Sequence, residues 1–447
     1  MKLLLVNTNQ TRMPDPVPPI GLSYLASAVR EAGHACTVFD LTFRPAYEDE
    51  LKAYLRDTRP ELIGLSLRNV DNTAYPKTVS FIEGFQEVVR ICREASPQTP
   101  IVLGGPAFSL FPEQLLEKLG ADYGVPGEGE IAFLDLLQAL QDGHPPTEKI
   151  LHPKGGRQVN LNGLVPSWDL FETDRYFREG GSLNIQTKRG CRYKCSYCSY
   201  PLLEGSAVRQ RDPVKVVDEM ELCLEQHGID YFFFVDNVFN YPRAHGIAIC
   251  REIIKRRLDI RWTAYTSPGV VDAEMFAIYK EAGCDALDFG SDSMSQVGLS
   301  SMSKWFTVTK IKDATRWCCE NEIQISHSLI FGPPGETRES VEETIANVHE
   351  CAPDVVIAMI GVRIYPHTPL ARRLVKKGWI KEKDIGLEPV FYIEDALREY
   401  LFERLQEEAR KHHNWILPGF SKKMNHPMLF ERLRAKGNKG PMWKMIA

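Results

Sequence analysis

Residues 182–198 read SLNIQTKRGCRYKCSYC. A short strand over 182–186 runs directly into a loop carrying Cys191, Cys195 and Cys198 in a C-x3-C-x2-C spacing. Thiolates suit zinc or iron–sulfur clusters. A structural zinc needs a fourth ligand to close its tetrahedron, and no second CxxC or His pair lies nearby to supply it. Three thiolates on a cubane [4Fe–4S] cluster leave one iron open, as a catalytic cluster requires. The spacing favours the cluster, with structural zinc and redox-active thiols as the alternatives.

Working outward, a strand-then-helix rhythm continues on both sides. Downstream, apolar strands are expected at 231–235, 261–265, 286–289, 324–331 and 355–362, separated by helices at 213–227, 241–256, 273–282, 311–321 and 338–351. Six βα units predict a barrel or a three-quarter barrel with its chemistry at the strands' carboxyl ends. Upstream, strands at 3–6, 36–39, 62–67, 101–103 and 123–125 alternate with helices at 20–31, 80–95, 113–119 and 131–140. Short continuous apolar strands between helices mean a parallel sheet covered on both faces. The expected class is α/β: a doubly wound, Rossmann-like domain (1–143), a polar linker rich in Pro and Gly (144–178), a partial (β/α)6 barrel (179–378) and a C-terminal helical cap (379–447). The cap is helical around 393–412, and the tail at 437–443 reads as irregular.

The 447 residues are 43% hydrophobic and 25% charged, which excludes a disordered or fibrous chain. A net charge of −5 supplies no basic field for nucleic acid. No apolar run approaches the roughly 20 residues of a membrane span. The opening apolar stretch turns polar at Asn7, too soon for a signal peptide, so a cytoplasmic protein is expected. The other eight cysteines (Cys36, Cys92, Cys223, Cys250, Cys284, Cys318, Cys319 and Cys351) are scattered, mostly in apolar patterns, and read as buried small hydrophobes. No disulfide framework is expected.

The loop from Gly190 to Cys198 resembles the CxxxCxxC loop of the radical S-adenosylmethionine (SAM) enzymes, including the aromatic Tyr197 before the third cysteine. The resemblance implies that Cys191, Cys195 and Cys198 are the catalytic ligands of a [4Fe–4S] cluster. The open iron would chelate SAM, and one electron from flavodoxin or ferredoxin would cleave it to a 5′-deoxyadenosyl radical. Other motifs follow in family order. Phe234-Val-Asp236-Asn237 stands where the family meets the methionine amino group. Phe289-Gly-Ser291-Asp292-Ser293 stands where a Glu usually meets the ribose, Asp292 being one methylene shorter. Phe331-Gly332-Pro-Pro-Gly335-Glu336-Thr337 resembles the GxPGET turn, and Arg363 to Leu370 the segment after the sixth strand. The SAM contacts so implied are Tyr197, Asp236, Asn237, Asp292, Gly332 and Arg363.

The first domain resembles the cobalamin-binding domain that precedes the barrel in one branch of this family, through residues 19–25, 64–72, 102–106 and 127–130. The implied cobalamin contacts are Ser66, Leu67, Arg68 and Asn69, then Gly104, Gly105 and Pro106, then Gly127, Glu128 and Gly129. Glycines there let backbone approach a bulky ligand; the alternative is that they only form tight turns. The DxHxxG signature of the cobalamin mutases is absent, since residues 7–12 hold no His. Arg68 and Asn69 are the candidates for the cofactor's lower face, where the guanidinium of Arg68 cannot donate a lone pair to cobalt. The alternative for Arg68 is a salt bridge to Asp71 or to a linker carboxylate. The resemblance implies methylation of an unactivated carbon on a small or lipid-like substrate. Cyclisation or rearrangement without use of cobalamin, and a metal-stabilised binding protein, are the alternatives. Lys188 and Arg189 are read as carboxylate-steering or solvated, His34 and His327 as structural, the pair at 305–306 as core, and 440–443 as covering the barrel mouth or closing the fold. The two crevices are expected to face each other, with cobalamin between them.

Overall fold

Leu3, Leu4, Leu5 and Val6 are buried in succession, so their strand is apolar on both faces. In the computed structural model, which describes residues 1–420 and 427–445, it is β1 (Lys2–Asn7). With β2 (Ala35–Asp40), β3 (Leu62–Ser66), β4 (Ile101–Gly104) and β5 (Tyr123–Gly124) it forms a parallel sheet in the order β2-β1-β3-β4-β5. The order reverses between β1 and β3, and a ligand crevice opens beyond the carboxyl ends of strands at such a point. Asn7 and Ser66 stand there.

Between β2 and β3 lies a helix, Tyr47–Thr58, that the periodicity did not reveal. It fully buries only Tyr47, Leu51 and Leu55, one residue per turn, and most of its remaining surface is charged. The linker is also more ordered than its composition suggests. Leu161 and Leu164 pack on Tyr24, and Trp168 enters the barrel core. The linker ends in a helix, Thr173–Gly180, from which the Tyr176 hydroxyl donates to Asp40 at 2.8 Å.

The second sheet is parallel and follows chain order: β6 (Leu183–Ile185), β7 (Tyr231–Phe234), β8 (Arg261–Thr266), β9 (Cys284–Asp292), β10 (Gln324–Phe331) and β11 (Val355–Ile360). A seventh strand, β12 (Trp415–Ile416), pairs with β11 and comes from the segment expected to be only a helical cap. Two residues are too few for any periodicity to announce them. Of the 379–447 cap, residues 421–426 and 446–447 lie outside the described residues.

The tail closes the amino end of this barrel rather than its mouth. Gly440 donates to the Gly181 carbonyl at 2.8 Å, and a Cβ on it would stand 2.5 Å from the Tyr231 hydroxyl. Lys439 pairs with Asp230 and Lys444 with Asp285, both at strand starts. Trp443 packs on Ala286, Val355 and Ile416. No helix among the described residues is long and apolar enough to cross a membrane.

Candidate active site between the two domains

The cysteine loop begins at Gly190, whose φ is 92° and where a Cβ would sit 2.0 Å from the Ala207 carbonyl oxygen. Only glycine makes that turn. The loop is pinned along its length. Gly190 N–H donates to Glu204 at 3.0 Å, Cys191 N–H to Gly205 at 3.1 Å, and Ser196 N–H to Met302 at 2.9 Å. Cys191 is buried; Cys195 and Cys198 are half-buried. Burial pushes all three thiols up, Cys198 to about 12, so a bound metal must displace their protons. Among the described residues, the trio of His, Cys, Asp or Glu ligand atoms gathered within 4.8 Å of one another lies elsewhere.

The residues expected to meet SAM are arranged in four ways. Asp236 is buried and already engaged: it accepts from Thr187 N–H (2.8 Å), the Thr187 hydroxyl (2.5 Å), Lys188 N–H (3.2 Å) and Lys188 Nζ (2.8 Å). Asn237 donates to Glu204 at 2.8 Å. Both therefore brace the entry to the cysteine loop. Asp292, at φ 61°, lies between the Tyr197 hydroxyl and the Lys304 ammonium, bonded to each. Gly332, at φ 92°, donates to Glu336 at 2.6 Å, and burial lifts that carboxyl to about 8. Arg363 does not join the others. It turns to the first domain, where its Nε donates to Asp71 at 3.0 Å, and both side chains are almost fully buried. A buried carboxylate needs a cation, and Arg363 supplies it.

Lys304 was missed by the sequence reading. It is buried, bonded to Asp292 and 3.3 Å from the Gly290 carbonyl, and its charge acts on both Cys195 and Cys198. Its carboxylate partner beside the loop is Asp292. Its only signal was a lysine in front of the apolar pair Trp305-Phe306. Of that pair Phe306 is core, whereas Trp305 is 48% exposed and stacks on Tyr193. Lys188 and Arg189 are not solvated. Lys188 holds Asp236, and Arg189 reaches into the first domain to Glu130 at 2.7 Å. His327 is structural: it is buried between Ser291 (2.7 Å) and Thr315 (2.9 Å), and burial lowers it to about 3.

The two crevices face one another across a cavity of about 960 Å³. Ser66, Arg68 and Asn69 line it from β3, Gly104, Gly105 and Pro106 from β4, and Gly127, Glu128 and Gly129 from beyond β5. Leu67 does not line it. It is fully buried, accepting from Ala107 N–H at 3.0 Å and donating to the Gly104 carbonyl at 2.8 Å. Glu128 pairs with Arg209 across the interface. Gly104 and Gly129 offer bare backbone, and a Cβ on Gly105 (φ 90°) would meet the Leu67 carbonyl oxygen at 2.6 Å. Among the described residues Arg68 has no hydrogen-bond or ion-pair partner, and desolvation lowers its pKa; Asp71, one of its expected alternatives, belongs to Arg363.

From the barrel, Ser199, Tyr200 and Leu203 of the cysteine loop line the same space, with Phe233, Tyr265 and Asp288 on the strands. Asp288 accepts from Ser328 at 3.1 Å, and burial raises it to about 6. On the other side the cavity runs as an apolar groove along the first sheet, past Leu5, Leu22, Gly64, Val102 and Phe133. A glycine-floored crevice, an apolar groove and a facing barrel mouth fit a large flat ligand such as a corrinoid, with SAM at the cysteine loop.

Two family models match the chain: the B12 binding domain over residues 11–137 and the radical SAM superfamily over 185–348. The chain is 28% identical over 448 aligned residues to the tryptophan 2-C-methyltransferase of Streptomyces laurentii, covering 83% of this chain and 74% of the relative. It is 26% identical over 360 residues to the anaerobic magnesium-protoporphyrin IX monomethyl ester cyclase of Rubrivivax gelatinosus, covering 76% and 63%. Its fold matches that of the radical SAM methyltransferase TsrM from Kitasatospora setae, solved with cobalamin and [4Fe–4S] cluster bound. The TM-score is 0.86 at 24% identity, covering 100% of this chain and 97% of that one. The cofactors are those of the two domains, a [4Fe–4S] cluster with SAM, and cobalamin. This chain belongs to the radical SAM superfamily, and it is an enzyme of the branch that carries a B12 binding domain ahead of the barrel.

Proposed function

We propose that this enzyme transfers a methyl group to a carbon atom of a small or lipid-like substrate held in the interdomain cavity. The observation that carries this is the continuity of one cavity from the residues after Cys198 to the glycine-floored crevice of the first domain. A substrate carbon there can lie near both cofactors at once, as direct transfer requires. When bound, the cluster with SAM supplies radical initiation, and cobalamin supplies the methyl group. In this reading residues 1–143 hold cobalamin and 179–378 hold the cluster and SAM, with 144–178 and 379–447 as strap and cap.

Cys191, Cys195 and Cys198 hold the cluster. Lys304 meets the SAM carboxylate, while Asp236 and Asn237 keep the loop in place. Arg68 would be among the residues that hold the corrinoid, and its guanidinium has no lone pair to offer cobalt. Tyr200, Phe233 and Tyr265 present apolar surface to the substrate, and Asp288 offers a carboxyl from the strands. Met442 and Trp443 seal the floor against water, which protects reactive species. The electron donor is a flavodoxin or ferredoxin, for which the exposed Arg192 and Lys194, between the cluster cysteines, offer positive charge. Eleven free cysteines suit a reducing compartment, the cytoplasm.

The test is expression with hydroxocobalamin, anaerobic reconstitution, and incubation with methyl-labelled SAM and a panel of small aromatic and lipid substrates. Corrinoid should copurify, and label should appear on a carbon of one substrate. Release of 5′-deoxyadenosine with a cyclised, unlabelled product would replace methyl transfer with ring formation.

A further inference from the structure

We propose that His349, Glu408 and His412 form a site for a divalent transition-metal ion, zinc by the chemistry of its donors. The site lies on the seam between the helices Arg338–Cys351 and Arg398–Lys411, and none of the three residues lines the interdomain cavity. Their ligand atoms all lie within 4.8 Å of one another. The Nε2 atoms of His349 and His412 stand 2.9 and 3.6 Å from the same carboxylate oxygen, Glu408 Oε2. Those distances bracket the roughly 3.3 Å between neighbouring ligands about 2.0 Å from a tetrahedral ion. A simple hydrogen-bonded pair would account for His349 alone. His412 is beyond hydrogen-bond reach of that oxygen, yet its ring lies 4.5 Å from that of His349 and presents its Nε2 to the same point.

The surroundings also suit a cation. The two helices run side by side in the same direction: Glu342 meets Tyr400 and Arg404, and two turns further on His349 meets Glu408. Their carboxyl ends therefore converge at the site, His349 in the last turn of one helix and His412 at the C-cap of the other. The partial negative charge of helix carboxyl ends favours a positive ion. Glu408 is buried and held through its other oxygen by Arg404, which fixes the carboxylate as outer partners do around metal ligands. The two imidazoles are about 40% exposed, leaving a fourth position for water. Two histidines, a carboxylate and a water make a zinc ligand set. An ion there would tie the Arg398–Lys411 helix, whose Leu401 packs beside Gly332, to the barrel.

The test uses the full chain with its iron–sulfur cluster reconstituted, so that the three thiols are occupied. Zinc chloride is titrated by calorimetry, and zinc, iron and sulfide are measured after gel filtration. One zinc per chain beyond the cluster is expected. His349→Ala and His412→Ala, both half-exposed positions, should each weaken binding by at least about ten-fold with iron and sulfide unchanged. Cobalt(II) in the same site should give d–d bands without a thiolate charge-transfer band. Equal zinc binding by wild type and variants, no binding at micromolar zinc, or a thiolate band would each overturn the proposal.

Discussion

Arg363 separates a strut between domains from a ligand contact, and Arg363→Met tests which it is. Its guanidinium donates to Asp71 at 3.0 Å and, through Nη1, to its neighbour's Ile364 carbonyl at 2.7 Å. The ion-paired side chains are 4% and 0% exposed and 292 residues apart in sequence. Removing one partner of such a pair strands a buried charge and costs about 3–5 kcal/mol. For 447 residues unfolding as a unit, an unfolding entropy of about 0.9 kcal/mol/K turns this into a Tm lower by about 3–5 °C. Asp71 also accepts from Thr73 N–H at 2.9 Å, so Asp71→Asn keeps its turn while removing its charge. The double variant should melt well above the sum of the two single losses, since neither charge is then left alone. Calorimetric melting of the cofactor-free chain, with SAM affinity measured on the reconstituted enzyme, reads both roles. An Arg363→Met protein that melts within about 1 °C of wild type but loses SAM affinity would refute the strut and restore the ligand contact.

Other substitutions follow from the same geometry. Arg68→Ala should change the corrinoid absorbance of the loaded protein while leaving its iron and sulfide intact; Cys198→Ala should do the reverse. Gly105→Ala places a Cβ at φ 90° against the Leu67 carbonyl and should cost about 1–3 kcal/mol in urea denaturation together with corrinoid retention, whereas Gly143→Ala, with open space around it, should keep the corrinoid. Glu336, lifted from 4.5 to about 8 by burial, keeps a proton in the folded chain that the unfolded chain has lost. Stability should therefore fall as pH rises from about 4.5 to 8, by at most about 1.4 kcal/mol per pH unit, and then level; Glu336→Gln should flatten that slope in melts across this range.

The cysteine loop was legible because its chemistry is local: three thiols and a glycine within nine residues need no knowledge of the rest of the chain. The parallel strands were legible for a related reason, since burial on both faces leaves continuous apolar runs such as Leu3 to Val6. The helix Tyr47–Thr58 was not, because one apolar residue per turn is enough to seat a helix at the sheet margin but not enough to mark it. Leu67 was assigned to the cavity from its neighbours in sequence, yet at a strand end alternate residues face opposite ways, and Leu67 takes the core side. Arg363 and Lys304 were illegible for a different reason. Their partners are Asp71 and Asp292, and which charges meet depends on how the domains dock and the loops close, neither of which spacing encodes.

Those pairings explain why the crevices face each other. Arg189 reaches Glu130, Arg209 reaches Glu128 and Arg363 reaches Asp71, each joining the barrel to the first domain. A buried charge is tolerated only when paired, so each bridge favours the docked arrangement over one in which the charges lie buried apart. Glu204 adds a link within the barrel by holding both Gly190 and Asn237, so the cysteine loop is fixed relative to the same interface. Once these pairs are made, Arg68, Glu204 and Asp288 remain on the cavity wall without an ion-pair partner among the described residues. Arg68 has no hydrogen-bond or ion-pair partner among the described residues, Glu204 is held by Gly190 N–H and Asn237, and Asp288 by the Ser328 hydroxyl. Arg68 belongs to the first domain, whereas Glu204 and Asp288 belong to the barrel. A ligand between the domains meets a guanidinium from one and carboxyls from the other. The proposed arrangement does this with the corrinoid against Arg68 and a hydrogen-bond donor of the substrate against Asp288.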